Sequence, residues 1–208
     1  ELYIDKNKIT SLFGCPTNLK KLGCSDNQLT SLDFCSQNLT YLACNDNNLC
    51  SLDNCPQTLK NLHCRNNKIT SLRGCPQKLE KLTCSCNLLT SLDGAPEEAI
   101  SYLDCSFNQI SSLKGCPKSY HINCGRNKLT SLEHCPTYVQ YLDCHGNELT
   151  NLAHCPPVIC LDCWDNKIAS LIGCPPVKRH LNCMNNPLVS LEGCPEVEHL
   201  THYNKLKS

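Results

Sequence analysis

The chain has 208 residues, of which 40% are hydrophobic and 18% are charged. Its 19 basic and 19 acidic side chains leave no formal net charge, so no overall field favours nucleic acid or an anionic membrane. No apolar run approaches the roughly 18 residues that a helical membrane span requires. We therefore expect neither a nucleic-acid partner nor a membrane span.

An asparagine recurs about every 20 residues along the whole chain. The repeat is clearest in residues 59–76, where the pattern is L-x-x-L-x-C-x-x-N-x-[LI]-T-S-L-x-x-C-P. A period this regular predicts a solenoid, in which each unit buries its apolar side by stacking on its neighbours. The asparagines are Asn7, Asn27, Asn47, Asn67, Asn87, Asn108, Asn127, Asn147, Asn166 and Asn186, with Asn204 in a degraded last copy.

Each repeat is predicted to begin with a short strand. Side chains alternate along a strand, so Leu42 and Cys44 share one side while Tyr41, Ala43 and Asn45 share the other. Equivalent strands are expected to pair in parallel about 4.8 Å apart, which gives a sheet of about eleven strands. The last inward position of each strand forms what we call the strand cysteine column: Ile4, Cys24, Cys44, Cys64, Cys84, Cys105, Cys124, Cys144, Cys163 and Cys183.

The rest of each repeat must turn and return along the opposite, convex side. The asparagine is expected to lie inside the turn, where its amide satisfies buried backbone groups of adjacent coils. The return path of most repeats contains a turn position that is often glycine, as at Gly14, Gly74 and Gly173, and then a proline. Proline disfavours helix both at its own position and at the one before. The convex side is therefore predicted to be extended or polyproline-like, with at most one short 3-10 turn per coil.

This pattern resembles the leucine-rich repeat over essentially all of the chain. It is similar to the twenty-residue repeats of secreted bacterial effectors, which carry Leu-Pro where this chain carries Cys-Pro. It also resembles leucine-rich repeat proteins of large DNA viruses of protists. We expect residues 1–208 to form a single solenoid. Because both ends lack polar capping units, we expect that solenoid to be a segment of a longer chain.

Cysteine is the unusual component, at 21 of 208 residues. Ile4 replaces cysteine in the strand column and Ala95 replaces it before proline, so these positions behave as small core hydrophobes. We expect buried, reduced thiols and hence an intracellular protein. Disulfides and metal binding are the alternatives, although Cys160 and Cys163 have no second pair to complete a zinc site. The pre-proline cysteine column comprises Cys15, Cys35 (where Ser36 replaces the proline), Cys55, Cys75, Cys116, Cys135, Cys155, Cys174 and Cys194.

Three outward columns of side chains, at the positions of Tyr41, Ala43 and Asn45 in each repeat, are predicted to form the functional surface, because solenoids bind partners on their extended concave face. Aromatic and acidic side chains gather there in the C-terminal half, a combination that suits a protein partner with a basic and apolar surface. The alternative is that the aromatic rings have a structural role only and cover the sheet surface through cross-strand pairing. We define the C-terminal patch as Tyr102, Asp104, Tyr141, Asp143, His145, Asp162, Trp164 and Met184.

No catalytic motif is present, and we expect no enzyme activity, cofactor or metal. The alternative is that His121, Asp143, His145, Asp162 and His180 come within reach of one another across four coils to hold a metal or run acid–base chemistry, but an open sheet leaves such groups in contact with water, where they are weak catalysts. Two non-catalytic functions are left open. One is a recognition module that binds its partner on the concave face, and the other is an architectural component of a larger assembly such as a virion. The expected location is the host cytoplasm or a virion.

Overall fold

One parallel sheet of 11 strands lines one side of residues 1–202, the range that the computed structural model describes. The strands pair in the order in which they occur in the chain, so each connection joins adjacent strands. Asn204 lies outside the described residues. The strands are β1 (Leu2–Tyr3), β2 (Lys21–Gly23), β3 (Tyr41–Ala43), β4 (Asn61–His63), β5 (Lys81–Thr83), β6 (Ile100–Asp104), β7 (Ser119–Asn123), β8 (Tyr141–Asp143), β9 (Val158–Asp162), β10 (Val177–Asn182) and β11 (His199–Thr201).

Equivalent residues of successive repeats are paired in register, as the twenty-residue period predicts. Leu42 of β3 pairs with Leu62 of β4, which pairs with Leu82 of β5. These leucines are fully buried, as is every cysteine of the strand column. Each coil thus adds one layer to a continuous apolar core that lies between the sheet and the convex side. The predicted leucine-rich repeat solenoid is confirmed.

The asparagines form a ladder inside the coils. Asn67 donates from Nδ2 to the carbonyl oxygens of Cys44 (3.0 Å), Cys64 (3.1 Å) and Arg65 (3.2 Å). Its Oδ1 accepts the backbone N–H of Leu49 in the preceding coil at 2.9 Å. The ladder asparagines from Asn27 to Asn186 are all buried. The predicted role of the amides, satisfying backbone groups of adjacent coils, is confirmed.

The convex side is made of extended segments and turns, and no helix of any kind occurs in residues 1–202. The described chain therefore contains no helical membrane span. Each coil bends twice through left-handed backbone. One bend precedes the ladder asparagine, as at Asn66 (φ 52°), and the other lies at the convex turn, as at Gly74 (φ 83°). The sequence pattern predicted the glycine-containing turn but not the bend at non-glycine residues such as Asn66.

All 21 cysteines lie within residues 1–202, and each is a free thiol. The nine strand cysteines are buried, and the pre-proline column is buried at Cys35, Cys55, Cys75, Cys135 and Cys155. Burial in the apolar core raises the pKa of both Cys24 and Cys105 to about 12. These thiols are therefore protonated and unreactive at neutral pH.

Candidate functional site on the concave face

The parallel register brings the predicted side chains onto adjacent coils of the concave face, although His145, Trp164 and Met184 lie two residues beyond the ends of β8, β9 and β10. Tyr102 pairs with His121, which pairs with Tyr141. The acidic column runs in register through the same strands: Asp104, Asn123, Asp143, Asp162 and Asn182. All eight residues of the C-terminal patch are half-buried rather than fully exposed. Their neighbours on the sheet therefore determine what each side chain can offer.

Trp164 is held in a parallel ring stack. The His145 ring lies 4.5 Å from the Trp164 ring, measured between centroids, with an interplanar angle of 4°. The His145 ring is itself held in place, because its Nδ1 lies 2.6 Å from Oδ1 of Asp143. Only 13% of the His145 side chain is exposed. Three of the predicted residues thus form one connected unit.

Arg126 joins this unit, although it is not one of the predicted patch residues. The guanidinium carbon lies 5.3 Å from the centroid of the Trp164 ring, within range of a cation–π contact. Nη1 of Arg126 is also 3.0 Å from Oδ2 of Asp165. Arg126 lies in the turn after the strand, outside the three outward columns, and reaches the site by crossing a coil. The sequence signal for this contact is the pair of small residues Gly125 and Gly146, which leave space for the long Arg126 side chain and the His145 ring.

A second aromatic group lies beside the first and is larger than predicted. His121 lies between two tyrosines, with ring centroids 4.9 Å from Tyr102 and 5.6 Å from Tyr141. Tyr120 extends the group to the side, 5.5 Å from Tyr141 and 6.4 Å from Tyr138. Burial lowers the pKa of His121, and the nearby carboxylates of Asp143 and Asp104 oppose that shift. Tyr120 lies on β7 and Tyr138 lies in the turn before β8, and neither belongs to the three outward columns.

The three acidic side chains have different partners. Oδ1 of Asp104 accepts the Ser106 hydroxyl at 2.6 Å, and Asp143 contacts His145. Oδ1 of Asp162 accepts Nδ2 of Asn182 at 2.7 Å. Burial raises the pKa of Asp162, and the bond from Asn182 partly offsets that increase. In each of the three carboxylates, therefore, Oδ2 accepts no hydrogen bond from a side chain within residues 1–202.

Met184 completes the patch next to Asn182. Its backbone N–H donates to Oδ1 of Asn182 at 3.3 Å. The side chain is half-buried and follows Trp164 at the same position of the next coil. It thus offers a flexible apolar contact beside a rigid aromatic one.

The five groups of the acid–base alternative do not converge in the described structure. Asp143 and His145 are in contact, but His121 packs between tyrosines. His180 places Nε2 3.1 Å from the Thr201 hydroxyl, and Asp162 bonds Asn182. Within residues 1–202 no three metal-binding side chains are grouped to hold an ion.

A separate hollow of about 660 Å³ opens on the concave face at the N-terminal end. The outward columns of that half carry the basic side chains Lys21, Arg65 and Lys81. In the structure Lys21 is paired with Glu1 at 2.7 Å, and Lys81 lies 4.8 Å over the Tyr102 ring. The hollow is lined by Tyr3, Asp5, Lys6, Gly23, Ser25, Asp26, Tyr41, Ala43 and Asp46.

Comparisons with known proteins identify the repeat. A family profile described as Leucine Rich repeats (2 copies) matches residues 57–97. YopM from Yersinia enterocolitica is 31% identical with a TM-score of 0.68, over 93% of this chain and 48% of YopM. The functional domain of InlJ from Listeria monocytogenes, which includes a cysteine ladder, is 27% identical with a TM-score of 0.66, over 98% and 53%. The chain therefore spans about half the length of these two structures.

A third structure shows the fold alone. YopM from Yersinia pestis, a leucine-rich effector protein, is 22% identical with a TM-score of 0.51, over 89% of this chain and 74% of that one. Curated protein sequences gave no significant match. Leucine-rich repeats are in general protein–protein interaction modules. The chain is a leucine-rich repeat protein whose short repeats are similar to those of YopM from Yersinia enterocolitica.

Proposed function

We propose that the chain is a non-catalytic recognition module that binds a protein partner through the C-terminal patch. The observation that carries this proposal is the Trp164 unit, in which His145 stacks on the indole and Asp143 holds His145. An aromatic side chain that is already ordered loses little entropy on binding, so more of its contact energy contributes to affinity. A surface that only covered a sheet would not require such an arrangement.

The charges of the patch suit a partner with basic and apolar groups. Arg126 is paired with Asp165, so its charge does not neutralise the column of Asp104, Asp143 and Asp162. Aromatic rings lie on both sides of that column, with Tyr102 on one side and Trp164 on the other. Basic side chains of a partner would meet the carboxylates while its apolar groups contact the rings. The same acidic column disfavours nucleic acid, whose phosphates it would repel.

The test is to capture the partner from the source cell and measure its affinity for three variants. Trp164→Ala should weaken binding by about 2 kcal/mol or more, as loss of a hot-spot residue does. Because Trp164 is half-buried, we also expect a stability loss of about 1 kcal/mol from the lost ring contact, without loss of the fold. Lys21→Ala, on the same face but paired with Glu1, should change affinity much less.

The third variant distinguishes the architectural alternative. Phe13 and Phe34 are 79% and 60% exposed on the convex side, with ring centroids 5.4 Å apart. An exposed aromatic pair there favours packing of the convex surface into a larger assembly, such as a virion. If Phe34→Ala abolishes association while Trp164→Ala leaves it unchanged, the recognition proposal is wrong and the architectural one replaces it.

We further propose an intracellular location, in the host cytoplasm or a virion, on the basis of the buried thiols. The protein isolated from its source should then have the mass of a chain with 21 reduced cysteines. A mass that is lower by about 2 Da for each of many disulfide bridges would contradict this location. We also propose that the solenoid is a segment of a longer chain, in line with its coverage of about half of YopM. The likeness to viral proteins stays a prediction.

A further inference from the structure

We propose that Gly125 and Gly146 determine how Trp164 is presented, because they provide the space in which His145 and Arg126 hold it. His145 and Arg126 are then positioning residues for the binding surface. The proposal deepens the proposed function, on which its consequence for partner affinity rests. Its structural part concerns the free protein and can be tested without a partner.

Gly125 makes room for the His145 ring. A Cβ atom added at Gly125 would overlap Nδ1 and Cε1 of His145. The backbone itself does not require glycine, since Gly125 has no left-handed φ and the equivalent positions of other coils carry Ser85 and Ser106. Glycine at this position therefore matters for space. Any larger side chain would push His145 away from Asp143 or from Trp164.

Gly146 makes room for Arg126. A Cβ atom there would lie 2.7 Å from Cδ and 2.9 Å from Nε of the arginine. Gly146 does have a left-handed φ of 61°, but the equivalent position holds Asn66 and Phe107 in other coils, so a side chain is compatible with this backbone. Arg126 passes over Gly146 to reach Trp164 and Asp165, which lie in the next coil but one from its own.

The two glycines thus shape the space on the side of Trp164 that faces the preceding coils. With both spaces open, His145 and Arg126 contact one indole at 4.5 and 5.3 Å. With either space filled, the indole would lose a contact and gain freedom to rotate. Ordering one such side chain on binding accounts for about a 2- to 10-fold change in affinity.

Trp164 is the only tryptophan in the chain, so its fluorescence reports on this unit directly. The experiment compares acrylamide quenching and anisotropy of Trp164 in the free wild type, Gly125→Ala, His145→Ala and the double variant. Gly125→Ala should increase quenching and lower anisotropy. The same change should have no further effect once His145 is alanine, because the group that it displaces is absent. Ser85→Ala, at the equivalent buried position of another coil, is the matched control and should leave the fluorescence unchanged.

Equal quenching in wild type and Gly125→Ala, or an equal effect of Gly125→Ala with and without His145, would overturn the positioning proposal. If Gly125→Ala does not fold, His145→Ala alone decides, and unchanged quenching of Trp164 in that variant overturns it. Binding is measured separately, with the captured partner. Altered fluorescence with equal affinity of wild type and Trp164→Ala would instead overturn the proposed function and leave the positioning of Trp164 established.

Discussion

At the scale of single residues, the ladder asparagines show how one side chain can satisfy several coils. The carbonyl oxygens that Asn67 bonds are not dependent on it alone, since Asn47 also donates to Cys44 and Asn87 also donates to Cys64. The backbone N–H of Leu49 is different, because Oδ1 of Asn67 is its acceptor and the residue is fully buried. The acceptor oxygen is therefore the irreplaceable part of each amide.

Asn67→Leu should lower the free energy of unfolding by about 2–3 kcal/mol, since it leaves the Leu49 N–H buried without an acceptor. The matched control is Asn18→Leu, because Asn18 is exposed and makes no side-chain hydrogen bond in the described structure. Urea denaturation measures both variants. A loss at Asn67 no larger than that at Asn18 would show that the ladder does not stabilise the coils.

Side-chain periodicity predicted the ladder and the strand cysteine column, because both depend only on the position within the repeat. It also placed His121 between Tyr102 and Tyr141, but it did not predict that Arg126 contacts Trp164 or that Tyr120 extends the aromatic group beside Tyr141. Those contacts depend on how far a long or flat side chain reaches across neighbouring coils. The small size of Gly125 and Gly146 is a sequence signal for the contacts around Trp164 alone.

At the scale of one repeat, the two left-handed bends set the length of the coil. Glycine fills the convex bend at Gly14, Gly74 and Gly173, where the sequence pattern identified a turn. The same bend is built by His134 and His154, with φ of 68° and 66°, and there the sequence gives no sign of it. The parallel sheet and the buried leucines impose the bend on whichever residue occupies the position.

His154→Gly should raise the free energy of unfolding by up to about 1 kcal/mol, since it relieves a left-handed conformation that costs a residue with a Cβ about 1–2 kcal/mol. The control is the adjacent exposed Ala153→Gly, where φ is not left-handed. There the added freedom of the unfolded chain should cost about 0.5–1 kcal/mol. Thermal unfolding of both variants would contradict this account if the two substitutions changed Tm in the same direction.

At the scale of the whole molecule, the cysteines link folding to pH. A thiol whose pKa is about 9 when unfolded and about 12 when folded, such as Cys24, is protonated in both states below pH 9. Between pH 9 and 12 it ionises only in the unfolded state, so stability falls as pH rises. Many thiols in one cooperative core add their effects.

We therefore expect alkaline unfolding that begins just above pH 9 and is steep, since each such thiol contributes about 1.4 kcal/mol per pH unit. Cys24→Ala and Cys105→Ala should each reduce that slope, whereas Cys50→Ala, at an exposed cysteine, should not. The measurement is urea denaturation at a series of pH values from 8 to 11. Equal slopes for wild type and Cys24→Ala would contradict the burial of protonated thiols.

The whole-molecule architecture followed from the period alone, because stacking is the one way for such a repeat to bury its leucines. The identity of the partner did not follow from the sequence. The residues that vary between repeats indicate the chemistry of the binding surface, but they do not specify which protein binds there. The C-terminal patch itself stays a prediction, supported by the arrangement around Trp164.

The most direct test of partner binding uses 5-fluorotryptophan, which places one fluorine label in the chain, at Trp164. The 19F resonance is recorded while the captured, unlabelled partner is added to saturation. Binding through the C-terminal patch predicts that this single resonance shifts or broadens in proportion to the bound fraction, in wild type and in Lys21→Ala alike. A resonance that stays unchanged while the partner is fully bound would place the interface elsewhere and contradict the account.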